Sequence, residues 1–266
     1  MAAPIHATLL LCTYLRGCWC ARVGSMADYY VHVDRGRAIA GLKPCGRDEI
    51  FASNDGYEIR QEAIAFCQFI DLDDAHIQHG ELTSLLGAIP KFWYNNVTLK
   101  LDRNKLGTPG ALEIANFLKH NNSKISTLSL SGNFMSATGG KAIAEALRTA
   151  KHGYLKDLYI GGNDLQNVGG RSFAALIQSN NAALEVLHLN GNNIGEDGLI
   201  AIARALGNNT VLDELDLQWN YMTTTGATEF GEVAKLNKEL KVLLLSGRQS
   251  FRKYELCLIK GKRSKC

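Results

Sequence analysis

Residues 184–194 read LEVLHLNGNNI, and this stretch contains the pattern that decides the fold. Leu187 and Leu189 alternate with polar residues, which predicts a short strand with one buried face. Related segments begin at five further positions: Val97, Ile125, Leu155, Leu212 and Leu240. Because self-similarity at a fixed period is typical of repeat architectures, the chain is predicted to be a repeat protein.

Each copy continues into a segment with helical spacing. A glycine is followed by apolar or small residues four and eight positions later, at Gly110/Ile114/Leu118, Gly139/Ile143/Leu147, Gly169/Phe173/Ile177, Gly198/Ile202/Leu206 and Gly226/Phe230/Ala234. This spacing indicates one buried stripe on an amphipathic helix. A strand–helix unit this small buries its apolar face only by stacking on its neighbours. We therefore expect an α/β fold, a right-handed solenoid shaped like a horseshoe, with parallel strands on the concave side and helices on the convex side.

One asparagine follows the strand in five copies and recurs every 28 to 30 residues, at Asn104, Asn133, Asn163, Asn192 and Asn220. The backbone turns sharply there and leaves polar groups without partners in the sheet. A carboxamide carries both donors and an acceptor. We expect these asparagines to be structural.

The combined pattern, Leu-x-x-Leu-x-Leu-x-x-Asn-x-Leu with a full helix, resembles the leucine-rich repeats of the ribonuclease-inhibitor-like class. Similar repeats occur in ribonuclease inhibitor, in the Ran GTPase-activating protein and in nucleotide-binding leucine-rich-repeat receptors. The resemblance covers about residues 92–247. It implies the solenoid strongly and a function only weakly, since one fold serves many functions.

The extent of the repeats divides the chain into four segments. Residues 1–25 are expected to be an N-terminal extension, poorly ordered or a weak targeting segment, with Met26 as an alternative start. Residues 26–91 are expected to form an N-terminal cap and a degenerate first repeat in which Ala75 replaces the asparagine. Residues 92–247 hold the repeats, and residues 248–266 form a basic tail.

Charge and cysteine content limit the possible functions. Residues 97–247 carry 14 Lys or Arg and 14 Asp or Glu, so the repeats are not expected to attract nucleic acid. The tail from Arg248 carries seven basic residues and one Glu. Five of the seven cysteines precede the repeats and none lies between Cys67 and Cys257. This layout favours a reducing compartment, so we expect a cytoplasmic protein, with secretion or nuclear entry as alternatives. No segment is predicted to span a membrane.

Catalytic motifs are missing from the sequence. There is no Gly-x-Ser-x-Gly elbow, P-loop, dinucleotide-binding fingerprint or His-Glu-x-x-His pair. We therefore expect no enzymatic activity, no cofactor and no metal site.

The outward side chains of the strands are the candidates for partner binding. Trp219 stands where Gly132, Gly162 and Gly191 stand in other copies, and Tyr221 follows it. Aromatic residues of this kind dominate binding hot spots. The predicted partner-binding set is Lys100, Asp102, Arg103, Tyr159, His188, Glu214, Asp216, Gln218, Trp219 and Tyr221.

The predicted function is non-catalytic protein binding by a monomeric solenoid through its concave strand face. One alternative is a GTPase-activating protein of the Ran type, although that family has more repeats and an acidic tail. Another is a secreted or translocated effector that acts on host proteins. Ribonuclease inhibition is disfavoured because that family is acidic and cysteine-rich within its repeats.

Overall fold

The computed structural model describes residues 44–52, 58–60, 64, 67–89, 96–120, 125–150, 154–181, 183–247, 256–259 and 262–264. The described residues all belong to one compact unit, Lys43–Lys265. The expected N-terminal extension and the beginning of the expected cap lie outside the described residues.

Strands and helices alternate along the described chain. The strands are β1 (Phe69–Asp71), β2 (Val97–Lys100), β3 (Ile125–Ser129), β4 (Asp157–Tyr159), β5 (Val186–His188), β6 (Glu214–Asp216), β7 (Val242–Leu245), β8 (Leu256–Ile259) and β9 (Lys262–Ser264). The helices are α1 (Arg47–Ile50), α2 (His79–Ala88), α3 (Gly107–His120), α4 (Ser136–Thr149), α5 (Gln166–Gln178), α6 (Glu196–Leu206) and α7 (Thr224–Leu236).

The strands form one sheet in sequence order, and β1 to β7 run parallel. A single column of leucines crosses β2 to β7 in register, from Leu99 through Leu128, Leu158, Leu187 and Leu215 to Leu243. All six side chains are fully or almost fully buried. Because the strands share this apolar interior with the intervening helices, the predicted α/β solenoid is confirmed.

The glycine column lets neighbouring helices approach closely. A Cβ built on Gly139, in α4, would lie 2.6 Å from the Cβ of Ala111 in α3. That separation is far below an ordinary contact, so a side chain at Gly139 would push the two helices apart. At Gly110 and Gly169 the restriction comes from the same repeat, since a Cβ there would lie 2.7 Å from Leu106 Cβ and 2.5 Å from Leu165 Cβ.

The N-terminal edge of the sheet is covered by a short cap. Cys45 forms a parallel bridge with Ile70, and a disulfide joins Cys45 to Cys67. The Arg47 guanidinium pairs with the carboxylate of Glu81, which is 1% exposed. The sequence analysis did not predict this disulfide, since the cysteine layout favoured a reducing compartment. The bridge to β1 brings two segments 22 residues apart into contact.

The C-terminal edge is also covered. β8 pairs antiparallel with β7, and β9 pairs antiparallel with β8. Part of the segment expected to be a basic tail thus extends the sheet and covers the edge that β7 would otherwise present to a second chain.

Among the residues that the structure describes, none of the helices has the length and apolar character needed to cross a bilayer. The apolar stretch near residues 7–15 lies outside the described residues.

Candidate functional site

The concave face consists of strand side chains that point away from the helices. One row contains Thr98, Thr127, Asp157, Val186 and Glu214, and the next contains Lys100, Ser129, Tyr159, His188 and Asp216. These rows alternate with the buried leucine column, as the pleat of a strand requires.

The middle of the concave face holds a connected group from three adjacent strands. The ring of Tyr159 on β4 meets the ring of His188 on β5 edge to face, with centroids 4.7 Å apart. His188 Nε2 lies 2.8 Å from Glu214 Oε1 on β6. The structure therefore brings together three of the predicted partner-binding residues. His188 is only 4% exposed, whereas Tyr159 and Glu214 are half-buried.

Lys100, Asp102 and Arg103 form a separate group towards the N-terminal end. Asp102 is 7% exposed and accepts hydrogen bonds from Ser129 Oγ at 2.7 Å and from the Ser131 amide at 2.6 Å. Lys100 lies 5.2 Å from the centroid of the Phe69 ring.

Burial changes the titration of this group. It raises the pKa of Asp102 and lowers the pKa of Lys100. Asp73, whose carboxylate accepts from the Asp102 amide at 2.7 Å, has its pKa raised to about 7 by burial and then by the nearby charge of Asp102. These internal interactions indicate structural roles: Asp73 joins the turn after β1 to the turn after β2, and Asp102 joins the turn after β2 to the end of β3.

A second surface borders the concave face where the strands turn towards the helices. We call it the rim, and it consists of the residues on either side of the repeated asparagine, namely Arg103, Lys105, Phe134, Trp219 and Tyr221. Trp219 is half-buried, Tyr221 is 40% exposed and Phe134 is 68% exposed. The rim therefore displays most of the large aromatic surface near the strands.

Backbone conformation explains why glycine precedes the repeated asparagine in three of the turns. Gly132, Gly162 and Gly191 have φ between 65° and 69°, the left-handed region that suits glycine. Trp219 adopts φ 60° and Arg103 φ 57° at the equivalent positions. A side chain therefore fits at this position, but it requires an unfavourable backbone conformation.

Asp216 and Gln218 connect β6 to the rim. Asp216 is 1% exposed, and its Oδ1 accepts from the Gln218 amide at 2.8 Å. The Trp219 amide donates to Ser246 Oγ at 3.2 Å. Asp216 is therefore held inside the turn, while Gln218 is half-buried at the surface.

The repeated asparagines form a ladder, which we call the asparagine ladder: Asn104, Asn133, Asn163, Asn192 and Asn220. Each is at most 4% exposed. Asn163 shows the pattern: its Nδ2 donates to the carbonyls of Leu130 at 2.9 Å and Ile160 at 3.1 Å, and its Oδ1 accepts from the Asn133 amide at 2.8 Å. Each rung thus links one turn to the turn before it.

Two features of this surface were missed by the sequence analysis. Phe134 has φ 57° and is highly exposed, and the signal was an aromatic residue at a position that holds Lys105, Asp164 or Asn193 in other copies. Asp157 is 4% exposed, and one of its carboxylate oxygens has no hydrogen-bond partner within the described part of the chain. No local sequence signal marks it, because its environment comes from neighbouring repeats.

The concave face and the rim combine several kinds of side chain that can contact a ligand. These side chains offer aromatic rings, carboxylates and one imidazole on a rigid sheet. Within the described part of the chain, no three His, Cys, Asp or Glu side chains are placed to hold a metal ion.

Comparison with known proteins agrees with this architecture. A family model described as Leucine Rich repeat matches residues 121–144, 154–174, 180–203 and 208–231. RAN GTPase-activating protein 2 of Arabidopsis thaliana is 27% identical over 131 residues, which is 49% of this chain and 24% of that protein. The chain thus spans about a quarter of the length of that relative. The solved structure of Leiomodin-1 Actin-Binding Site 2 is 17% identical and superposes with a TM-score of 0.46, covering 58% of this chain and 86% of that one.

The matched segments coincide with the strand–turn–helix units from β3 to α7. Repeat length, the asparagine ladder and the parallel sheet agree with them. The chain therefore contains leucine-rich repeats, and their length and asparagine ladder resemble those of the ribonuclease-inhibitor-like class.

Proposed function

We propose that this chain is a non-catalytic module that binds a protein partner through the concave face and the adjoining rim. The observation that carries the proposal is Trp219. A left-handed backbone costs a non-glycine residue about 1–2 kcal/mol, and Trp219 has φ 60° where Gly132, Gly162 and Gly191 occupy other turns. The same backbone conformation recurs at Arg103, so what distinguishes Trp219 is a large aromatic side chain at a position where the fold favours glycine.

The surroundings of Trp219 support a binding role. Tyr221 lies two residues away and is 40% exposed. Trp and Tyr bury a large area at low entropic cost and are enriched in binding hot spots. Because the solenoid is already ordered, little further ordering would oppose association.

Two substitutions at Trp219 separate strain from recognition. Trp219→Ala removes the side chain and keeps a residue that disfavours the left-handed region, whereas Trp219→Gly also relieves the backbone. We expect the glycine variant to be the more stable of the two by about 1 kcal/mol in urea denaturation. Both should lose at least about tenfold in partner capture from a native extract, since each lacks the proposed anchor.

The matched control is Leu112→Ala, which removes an exposed apolar side chain (48% exposed) from α3 on the convex side. It should leave capture unchanged. Equal capture by the intact chain and both Trp219 variants would refute the role of the rim.

Stimulation of GTP hydrolysis is a second candidate function. It is favoured by the similarity of 131 residues to RAN GTPase-activating protein 2. Single-turnover phosphate release from GTP-loaded Ran, with and without the chain, tests it. Faster GTP hydrolysis at amounts of the chain far below the amount of Ran would replace the non-catalytic proposal.

The compartment and the oligomeric state are separate proposals. A cytoplasmic location followed from the cysteine layout, and the Cys45–Cys67 disulfide counts against it because the cytosol keeps thiols reduced. Fractionation of cells that express the chain, with thiol labelling of each fraction, decides between the cytosol and an oxidising compartment. We also propose a monomer, which light scattering after size exclusion tests.

A further inference from the structure

Two buried polar atoms on the concave face have no hydrogen-bond partner among the residues that the structure describes. Asp157 is 4% exposed; its Oδ2 accepts from Thr127 Oγ1 at 2.9 Å, while its Oδ1 has no partner. His188 is also 4% exposed, and its Nε2 faces Glu214, but its Nδ1 has no partner. Buried polar groups are nearly always paired, so two such atoms on one surface indicate a site where a bound group would supply the hydrogen bonds.

The two atoms lie on either side of Tyr159. Asp157 and Tyr159 share one face of β4, and Tyr159 is directly opposite His188 on β5. From a strand separation of about 4.8 Å and a rise of about 3.3 Å per residue, the Asp157 and His188 backbones are roughly 8 Å apart. Groups of one bound side chain can reach both positions.

The unpaired atoms require hydrogen-bond donors. Asp157 Oδ1 is a carboxylate oxygen, which can only accept. Because His188 Nε2 lies 2.8 Å from the Glu214 carboxylate, we assign the ring the tautomer that donates from Nε2. Nδ1 then carries a lone pair and also accepts. A ligand that satisfies both atoms must therefore offer at least two N–H or O–H groups.

The charge of the site favours a cation. Asp157 and Glu214 place two carboxylates around Tyr159 and His188. Two lysines that directly precede strands of this sheet are engaged elsewhere: Lys156, before β4, pairs with Glu185 at 2.8 Å, and Lys241, before β7, pairs with Asp213. Among charged side chains, the arginine guanidinium has five donors in a rigid plane and packs favourably on aromatic rings such as that of Tyr159.

We propose that Asp157, His188 and Glu214, together with the ring of Tyr159, form a binding site for an arginine side chain of the protein partner. This inference rests on the proposed function of the concave face. Both acceptor atoms are closed to water in the structure, so a side chain must move before the guanidinium enters. Tyr159 is half-buried and packs edge-on against His188, which makes its rotation the opening step.

The test is an NMR titration of the full chain with Nα-acetyl-arginine N-methylamide. The matched probe is the citrulline analogue, which has nearly the same shape and no charge. We expect saturable shifts of the amides in β4, β5 and the start of β6 with a dissociation constant of roughly millimolar order. Citrulline should bind at least about tenfold more weakly. Equal shifts from both probes, or no shifts in these strands, would overturn the arginine site.

Two variants assign the effect to the proposed carboxylates. Asp157→Asn keeps an acceptor for Thr127 and removes the charge, and we expect it to fold normally and to weaken arginine binding at least about tenfold. Asp213→Asn removes the same charge from the neighbouring pair with Lys241 and should change binding less than twofold. Similar losses in both variants would show a general charge effect and contradict the site. Should Asp157→Asn fail to give a native spectrum, Glu214→Gln serves in its place with the same expected loss.

The result is distinguishable from failure of the proposed function. Partner capture that depends on Trp219, combined with no arginine binding, overturns only this inference. Capture that is unaffected by Trp219→Ala contradicts the rim as a binding surface, whatever the titration shows.

Discussion

Replacing Asn163 with alanine removes the middle rung of the asparagine ladder. Asn163 is fully buried, and its Oδ1 accepts from the Asn133 amide at 2.8 Å and from the Met135 amide at 3.4 Å. Alanine fits the space but supplies no acceptor. Both amides would be left in the interior without this partner.

The size of the effect follows from which groups lose their partners. The carbonyls that Asn163 contacts keep other donors: Leu130 O still receives Asn133 Nδ2 at 3.0 Å, and Ile160 O still receives Asn192 Nδ2 at 2.9 Å. The loss is therefore mainly that of two amide donors. An unpaired buried donor costs about 1–3 kcal/mol. Because the Met135 contact is long, we expect a total destabilisation of about 2–4 kcal/mol for Asn163→Ala.

Urea denaturation followed by circular dichroism measures this free energy of unfolding. For a chain of this size, the change corresponds to a decrease in Tm of roughly 4–16 °C. Since repeat proteins can unfold in parts, hydrogen exchange of the β3 and β4 amides is measured alongside. The control, Asn208→Ala, makes the same change at an exposed position and should cost less than about 0.5 kcal/mol. If the two variants differed by less than about 0.5 kcal/mol, the structural role of the ladder would be refuted.

Three further outcomes are expected. Because burial raises the pKa of Asp73 to about 7, above its value of about 3.9 in the unfolded chain, the folded state binds a proton that the unfolded state lacks between these values. The Tm should therefore decrease as pH rises from about 4 to about 7, and Asp73→Asn should reduce this slope; an unchanged slope would contradict the assignment. Reduction of the disulfide between Cys45 and Cys67, which closes a loop of 22 residues, should cost about 3 kcal/mol, and alkylation of the unfolded, unreduced chain should leave both cysteines unlabelled. Arg47→Leu leaves the buried carboxylate of Glu81 without its cation and should destabilise the cap by about 2 kcal/mol in urea denaturation, whereas a loss below about 0.5 kcal/mol would show that the pair contributes little.

The repeat architecture could be predicted because each copy carries its own local evidence. The strand spacing, the helical stripe and the asparagine position recur with little variation. An incorrect alignment of one copy would therefore disagree with all the others. The leucine column from Leu99 to Leu243 is buried as this pattern requires. Periodicity of side chains is a local property, and the sequence contains it directly.

Exposure on the concave face was harder to predict. His188 and Asp216 point away from the helices, yet they are 4% and 1% exposed. In a closely spaced parallel sheet, neighbours on both sides cover a side chain of moderate size. The degree of cover depends on residues about 29 positions away, such as Tyr159 and Glu214, and not on the alternation within one strand.

The two ends of the sheet were least predictable. The Cys45–Cys67 disulfide and the antiparallel β8–β9 pair have no counterpart in the repeats. Terminal units differ from internal ones because one side lacks a repeat to stack on. Each end therefore uses its own pairing, which periodicity does not encode.

Site-specific photo-crosslinking most directly tests the claim that the concave face and rim bind the partner. Benzoylphenylalanine is introduced in separate variants at Tyr221 on the rim and at Val168 on convex helix α5, positions with almost equal exposure of 40% and 41%. After irradiation in a native extract, we expect a discrete covalent adduct from the Tyr221 position and none from the Val168 position. An adduct from Val168 alone, or equal yields from both positions, would contradict the account.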